Sequence, residues 1–151
     1  MEMPRPGPAQ ERLHIFIGEW RGKETMHPTQ WMPEGGVRDA VVSNKLGLDG
    51  FAVIQDYVQY DGDTPTFVGH AVIMKHPHAD SYQMYWFDSF SPSVFDGDWD
   101  GARGSFIQDG PMGKARASYD FSEPNAYTFR MEMSQDGQTW SPMMDGEYRK
   151  V

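Results

Sequence analysis

Apolar and polar positions alternate with a period of two along most of this chain. The clearest run lies near the C-terminus, where Tyr127, Phe129, Met131 and Met133 fall on one face and Thr128, Arg130, Glu132 and Ser134 on the other. The segment before it sets Ala115, Ala117, Tyr119 and Phe121 against Lys114, Arg116, Ser118 and Asp120. One face inside and one in water is the pattern of an antiparallel strand. Turn signals interrupt the pattern at 27–36, 48–50, 61–65, 76–80, 91–93, 98–101, 109–113, 122–125 and 135–138. These breaks leave about ten short strands at the spacing of a sandwich or barrel. Neighbouring strands joined by short turns close most simply into an up-and-down barrel, and closure removes exposed edges. The expected fold is therefore all-β, a closed or nearly closed antiparallel barrel of about ten strands. Asp136-Gly137 predicts a two-residue hairpin, because that turn needs positive φ at both central positions.

The N-terminal stretch breaks the alternation. Residues 1–8 hold three prolines and a glycine and read as a loose tail. Residues 9–16 predict a short helix with Leu13, Phe16 and Ile17 on one side. A chain of 151 residues then forms one domain, 9–151, large enough to need no staples.

In the first strand, Glu19, Arg21 and Lys23 point one way and Trp20, Gly22, Glu24 and Met26 the other. Water claims the charged set, so Trp20 turns inward and fills the end where strands converge, with Gly18 letting the backbone enter tightly. Gly18-Glu19-Trp20 after a short helix resembles the signature of the calycin superfamily, which includes lipocalins and fatty-acid-binding proteins. The resemblance implies a lipocalin-like barrel whose last strand lays an arginine across the tryptophan. In "DGEYRKV" the matching position is Arg149, with Arg130 as second choice. "FIGEWRG", "YWFDSF", "GDWDGARGSF" and "SQDGQTWSPMMDGEYRK" are similar to the bacterial domain-of-unknown-function family 1579. "GEWRGKE" also resembles the opening of nitrobindin-type haem barrels. Those barrels take their proximal histidine near the C-terminus, and here no histidine follows His78, so no haem is expected.

Charge and composition narrow the chemistry. Acidic residues number 22 against 13 basic, a net of −9, and no basic stripe is present, which sets nucleic acid aside. There is no cysteine, hence no disulfide framework or thiolate site. No stretch reaches the length of an apolar membrane span, so no membrane partner is expected and the expected location is cytoplasmic.

"DGDWDG" imitates the start of a calcium loop, yet Ile107 stands where the bidentate glutamate belongs, and the reading is a hairpin turn. His76, His78 and Asp80 alternate around Pro77 and read as a turn rather than a zinc or nickel site, so no metal is expected. His70 sits in mid-strand with Val68, Val72 and Met74 on its face. If that face is the interior, His70 is a core histidine, a donor that orients a ligand, or an acid–base group partnered by Glu24 or Asp88.

Ten strands enclose room for a small molecule. The expected lining is Met26, His70, Met84, Trp86, Tyr119, Phe129, Met131 and Tyr148, with Trp20 and Arg149 closing the bottom. The function expected is binding of a small, largely apolar molecule without a cofactor. The alternatives are an enzyme using His70 with a carboxylate, and an interaction module with a filled barrel. Residues 51–90 are apolar on both faces, which predicts a homodimer through their outer face with Tyr85 and Phe87 near its centre.

Overall fold

The computed structural model describes residues 1–151. A four-residue helix, α1 (Pro8–Glu11), and a single 3-10 turn (His14–Phe16) precede ten strands. The strands are β1 (Gly18–Met26), β2 (Gly36–Gly47), β3 (Ala52–Asp61), β4 (Thr64–Lys75) and β5 (Tyr82–Asp88). They continue with β6 (Pro92–Trp99), β7 (Arg103–Gly110), β8 (Gly113–Asp120), β9 (Ala126–Ser134) and β10 (Ser141–Lys150). Each pairs antiparallel with its sequence neighbours, and β1 pairs with β10, so the sheet is a closed barrel with up-and-down order. Each expected break overlaps one junction between strands, though five of the nine run one or two residues into a strand. The helix begins at Pro8, one residue ahead of the expected boundary, where the Gly7 amide donates to Gln10 Oε1 (2.8 Å).

Two tight hairpins lie elsewhere than expected, one of them across Pro111 and Met112 between Gly110 and Gly113. In the other, Asp61 pairs with Thr64 across Gly62 (φ 59°) and Asp63, a two-residue connection. The link around Asp136-Gly137 spans 135–140 instead. Asp136 Oδ1 accepts from the amides of Gln138 (2.8 Å) and Thr139 (2.7 Å) and from the Ser134 hydroxyl (3.0 Å). A carboxylate that gathers three local donors stabilises a wider turn than the pair of residues alone would form.

The N-terminal segment plugs one end of the barrel. Leu13 and Phe16 are fully buried, and Phe16 lies against Trp99 (4.8 Å between centroids), Phe121 (5.0 Å) and Tyr119 (5.3 Å). Aromatic pairs at these separations each contribute about 0.5–1.5 kcal/mol beyond area burial. A buried irregular segment must still satisfy its carbonyls, and side chains of the wall do so. Trp20 Nε1 (2.9 Å) and Asn44 Nδ2 (2.8 Å) both donate to the Phe16 carbonyl. Trp99 Nε1 donates to Arg12 O (2.8 Å) and the Tyr82 hydroxyl to Ala9 O (2.7 Å).

The Gly-x-Trp motif follows from this end. Trp20 is 2% exposed, and a cation lies against its ring, but the cation is Lys150, with Nζ 5.5 Å from the ring centroid. Arg149 pairs with Arg21 on the outer face. Alternation forbids adjacent Tyr148 and Arg149 from both pointing inward, and Tyr148 is the one inside. Gly18 has φ +143°, and a Cβ there would sit 2.5 Å from Lys150 Cε. The glycine therefore makes the space through which the lysine stem reaches the indole. Arg130, the second choice, is also outside, paired with Asp145.

Candidate site in the barrel interior

The interior parity set by Trp20, Gly22, Glu24 and Met26 passes round the barrel through the ladders. It brings Met26, Met84, Trp86, Tyr119, Phe129, Met131 and Tyr148 to the inside. Met84, Tyr119 and Tyr148 are buried, and the other four are half-buried.

His70 is the exception. Tyr57 pairs with Gly69 and Ala71 with Trp86, so Gly69 and Ala71 face inward and His70 faces out. Its Nδ1 lies 2.8 Å from Asp56 Oδ1, with side chains 45% and 70% exposed. Both faces of β4 are apolar, so alternation alone does not choose between them. Ring volume does: a Cβ at Gly69 would lie 2.2 Å from the Trp86 ring, so the position opposite that ring must be empty. The acid–base pairing of His70 with an interior carboxylate fails, because the sheet separates them.

The centre of the barrel holds Glu24, 0% exposed. Tyr57 donates its hydroxyl to Oε1 and Tyr148 donates to Oε2 in short hydrogen bonds, and Gln59 Nε2 donates to Oε1 at 2.9 Å. Burial above all, with the Glu24 charge adding to it, pushes the Tyr57 and Tyr119 phenols well above their ordinary range. Burial likewise raises Tyr127 and Tyr148. All four phenols are therefore neutral, and Tyr57 and Tyr148 are available as donors. Gly22 and Gly146 flank the Tyr148 ring, and a Cβ on either would lie within 2.5 Å of it. The Tyr127 ring stacks on Tyr148 at 4.5 Å and 10°. The phenol is thereby fixed over the carboxylate.

Away from the plugged end, Met26, Gln59, Phe67, Trp86, Phe129, Met131 and Met144 face inward yet keep contact with solvent. Tyr57 meets Phe67 (6.2 Å) and Trp86 (5.8 Å) edge-on, and Trp86 Nε1 donates to Asp88 Oδ2 (2.7 Å). This half of the interior is lined by half-buried apolar side chains around one polar cluster, with Arg38 on the same face opposite Glu24. Two open grooves lie on the outer wall, by Arg149 and by Arg130, lined largely by charged and polar residues.

Tyr57, Gln59 and Phe67 escaped the sequence reading. Val53, Gln55, Tyr57 and Gln59 do alternate, but Ile54 and Val58 on the other face masked the signal. Trp31, in the β1–β2 loop, is 81% exposed. Asp100 Oδ1 accepts from the Ala102 (2.8 Å) and Arg103 (2.7 Å) amides, which makes the supposed calcium loop a turn. His78 N–H donates to His76 Nδ1 (3.0 Å), and no three His, Asp or Glu side chains gather as metal ligands.

A family model described as "Protein of unknown function (DUF1579)" matches residues 5–150. The chain belongs to that family. No curated protein matches the sequence significantly. Among solved structures, Rv2717c from M. tuberculosis is similar at TM-score 0.75 and 10% identity, over 96% of this chain and 98% of that one. The S-type phycobiliprotein lyase CPES from Guillardia theta is similar at TM-score 0.59 and 9% identity, over 98% and 97%. At such identities the likeness is one of fold alone, a closed antiparallel barrel for this DUF1579 member as well. No helix is long and apolar enough to cross a membrane.

Proposed function

We propose that this protein binds a small, largely apolar molecule in the open half of its barrel. The observation that carries the reading is the contrast between the two ends. One end is filled by aromatic side chains and the N-terminal segment, while inward-facing Met26, Phe67, Trp86, Phe129 and Met131 at the other remain half-exposed. Methionines and aromatics around a few polar groups make an adaptable lining for an apolar ligand. The likeness to a phycobiliprotein lyase supports the reading only in that a barrel of this shape serves a protein so named. The expected result is that an environment-sensitive apolar dye binds at micromolar concentration and that Met131→Trp, which fills the open half, weakens it several-fold. No dye binding by the wild type at high micromolar concentration would show a filled barrel and leave the interaction-module reading.

A further inference from the structure

A fully buried carboxyl group beside half-buried apolar side chains that face inward needs a reason. Glu24 accepts from Tyr57, Tyr148 and Gln59, all neutral donors. None of the eight ion pairs in the chain reaches it. Arg38 stands opposite Glu24 in the β1–β2 ladder, yet its guanidinium turns to the Val37 carbonyl (3.1 Å) and towards Asp61 (4.0 Å). A buried acidic side chain is ordinarily paired with a cation, and this one has hydrogen bonds but no cation within ion-pair distance.

The mouth-side donor is the exchangeable one. Tyr57 and Tyr148 are buried phenols, Tyr148 being wedged between glycines, whereas Gln59 is half-buried and reaches from the rim. Its Nε2 lies 2.9 Å from Glu24 Oε1 and 3.7 Å from Met26 Sδ, while its Oε1 is 3.4 Å from the exposed Thr66 hydroxyl. The Gln59 amide thus occupies the place where an N–H from a molecule bound as proposed would meet the carboxylate. Tyr57, Phe67 and Trp86 stand around that place, and aromatic faces attract cations.

We infer that the ligand is an organic cation: an apolar body carrying an ammonium or protonated ring nitrogen whose N–H displaces the Gln59 amide from Glu24. This deepens the binding reading and rests on it.

Equilibrium dialysis at pH 7 and about 0.15 M salt, where the field of the net charge is screened, tests it with three probes of one shape. The probes are 2-naphthylmethylammonium, 2-naphthylmethanol and 2-naphthoate. The expected result is that the wild type holds the cation at least about tenfold more tightly than the alcohol, with the carboxylate weakest. In Glu24→Gln the cation and the alcohol bind alike. Binding of the alcohol with no preference for the cation overturns the inference while the binding barrel stands. A preference that survives in Glu24→Gln also overturns it. Failure of all three probes at millimolar concentration removes the binding reading itself. If Glu24→Gln does not fold, Gln59→Leu decides. The cation should then gain a few-fold over the alcohol, and an unchanged or smaller ratio counts against the displacement.

Discussion

Tyr148 shows how single residues set the interior. Its ring fits because Gly22 and Gly146 lack Cβ atoms, and its hydroxyl reaches Glu24 only from that seat. Gly22 belongs to the same short motif as Trp20, so one stretch of β1 serves two purposes. Gly18 and Trp20 belong to the plugged end, and Gly22 and Glu24 to the polar cluster around Tyr148 at the barrel's centre. A methyl group at Gly22 would meet the Tyr148 ring at 2.4 Å and the Glu147 carbonyl oxygen at 2.7 Å, and backbone on that side cannot yield. Overpacking of this kind costs about 1–3 kcal/mol, and a displaced phenol forfeits a charge-assisted hydrogen bond worth about 1.5–3 kcal/mol. Gly22→Ala is therefore expected to lower stability by about 2–5 kcal/mol, read as the free energy of urea unfolding. A loss below about 0.5 kcal/mol, the level of a neutral surface change, would show that the ring is free to move.

The β9–β10 connection depends on one carboxylate. Three local donors, two of them backbone amides, hold Asp136 down to about 2 from the usual range of an aspartate. With the folded value below the unfolded one, the turn adds stability above the ordinary aspartate pKa, and that stability is lost as pH falls through about 2. Asp136→Asn should then melt below the wild type at pH 7, and the two curves should converge near pH 2. A gap that is constant with pH would mean that the turn does not depend on the charge. This connection also marks where sequence reasoning reached its limit. Strand positions were legible throughout, because turn residues punctuate a strong alternation, and the faces of β1, β8 and β9 followed from their charged sides. The faces of β3, β4 and β5 did not, since Ile54, Val72 and Tyr85 outside are as apolar as Val53, Ile73 and Met84 inside. There the choice rests on ring volumes that meet only across the barrel, as Gly69 meets Trp86. His70 was misplaced for that reason.

The whole molecule carries that apolar outer wall uncovered. Ile54, Val72, Tyr85 and Val94 form a row across β3 to β6, flanked by Val68 and Phe87, and the N-terminal segment does not shield it because it lies at the plugged end. Val68, Phe87 and Val94 are 59%, 47% and 43% exposed. We propose that two copies meet through this wall, as exposed apolar patches on barrels in water ordinarily find a partner. Sedimentation of the wild type at micromolar concentration should give a dimer and Tyr85→Glu a monomer, and a monomeric wild type would end the proposal. The plug has a consequence for traffic. A vessel stoppered at its base is filled and emptied by one route, and a newcomer cannot push the occupant out from behind. For a molecule bound as proposed, turnover would then be set by the occupant's own departure, and raising the concentration of a competitor would not hasten it.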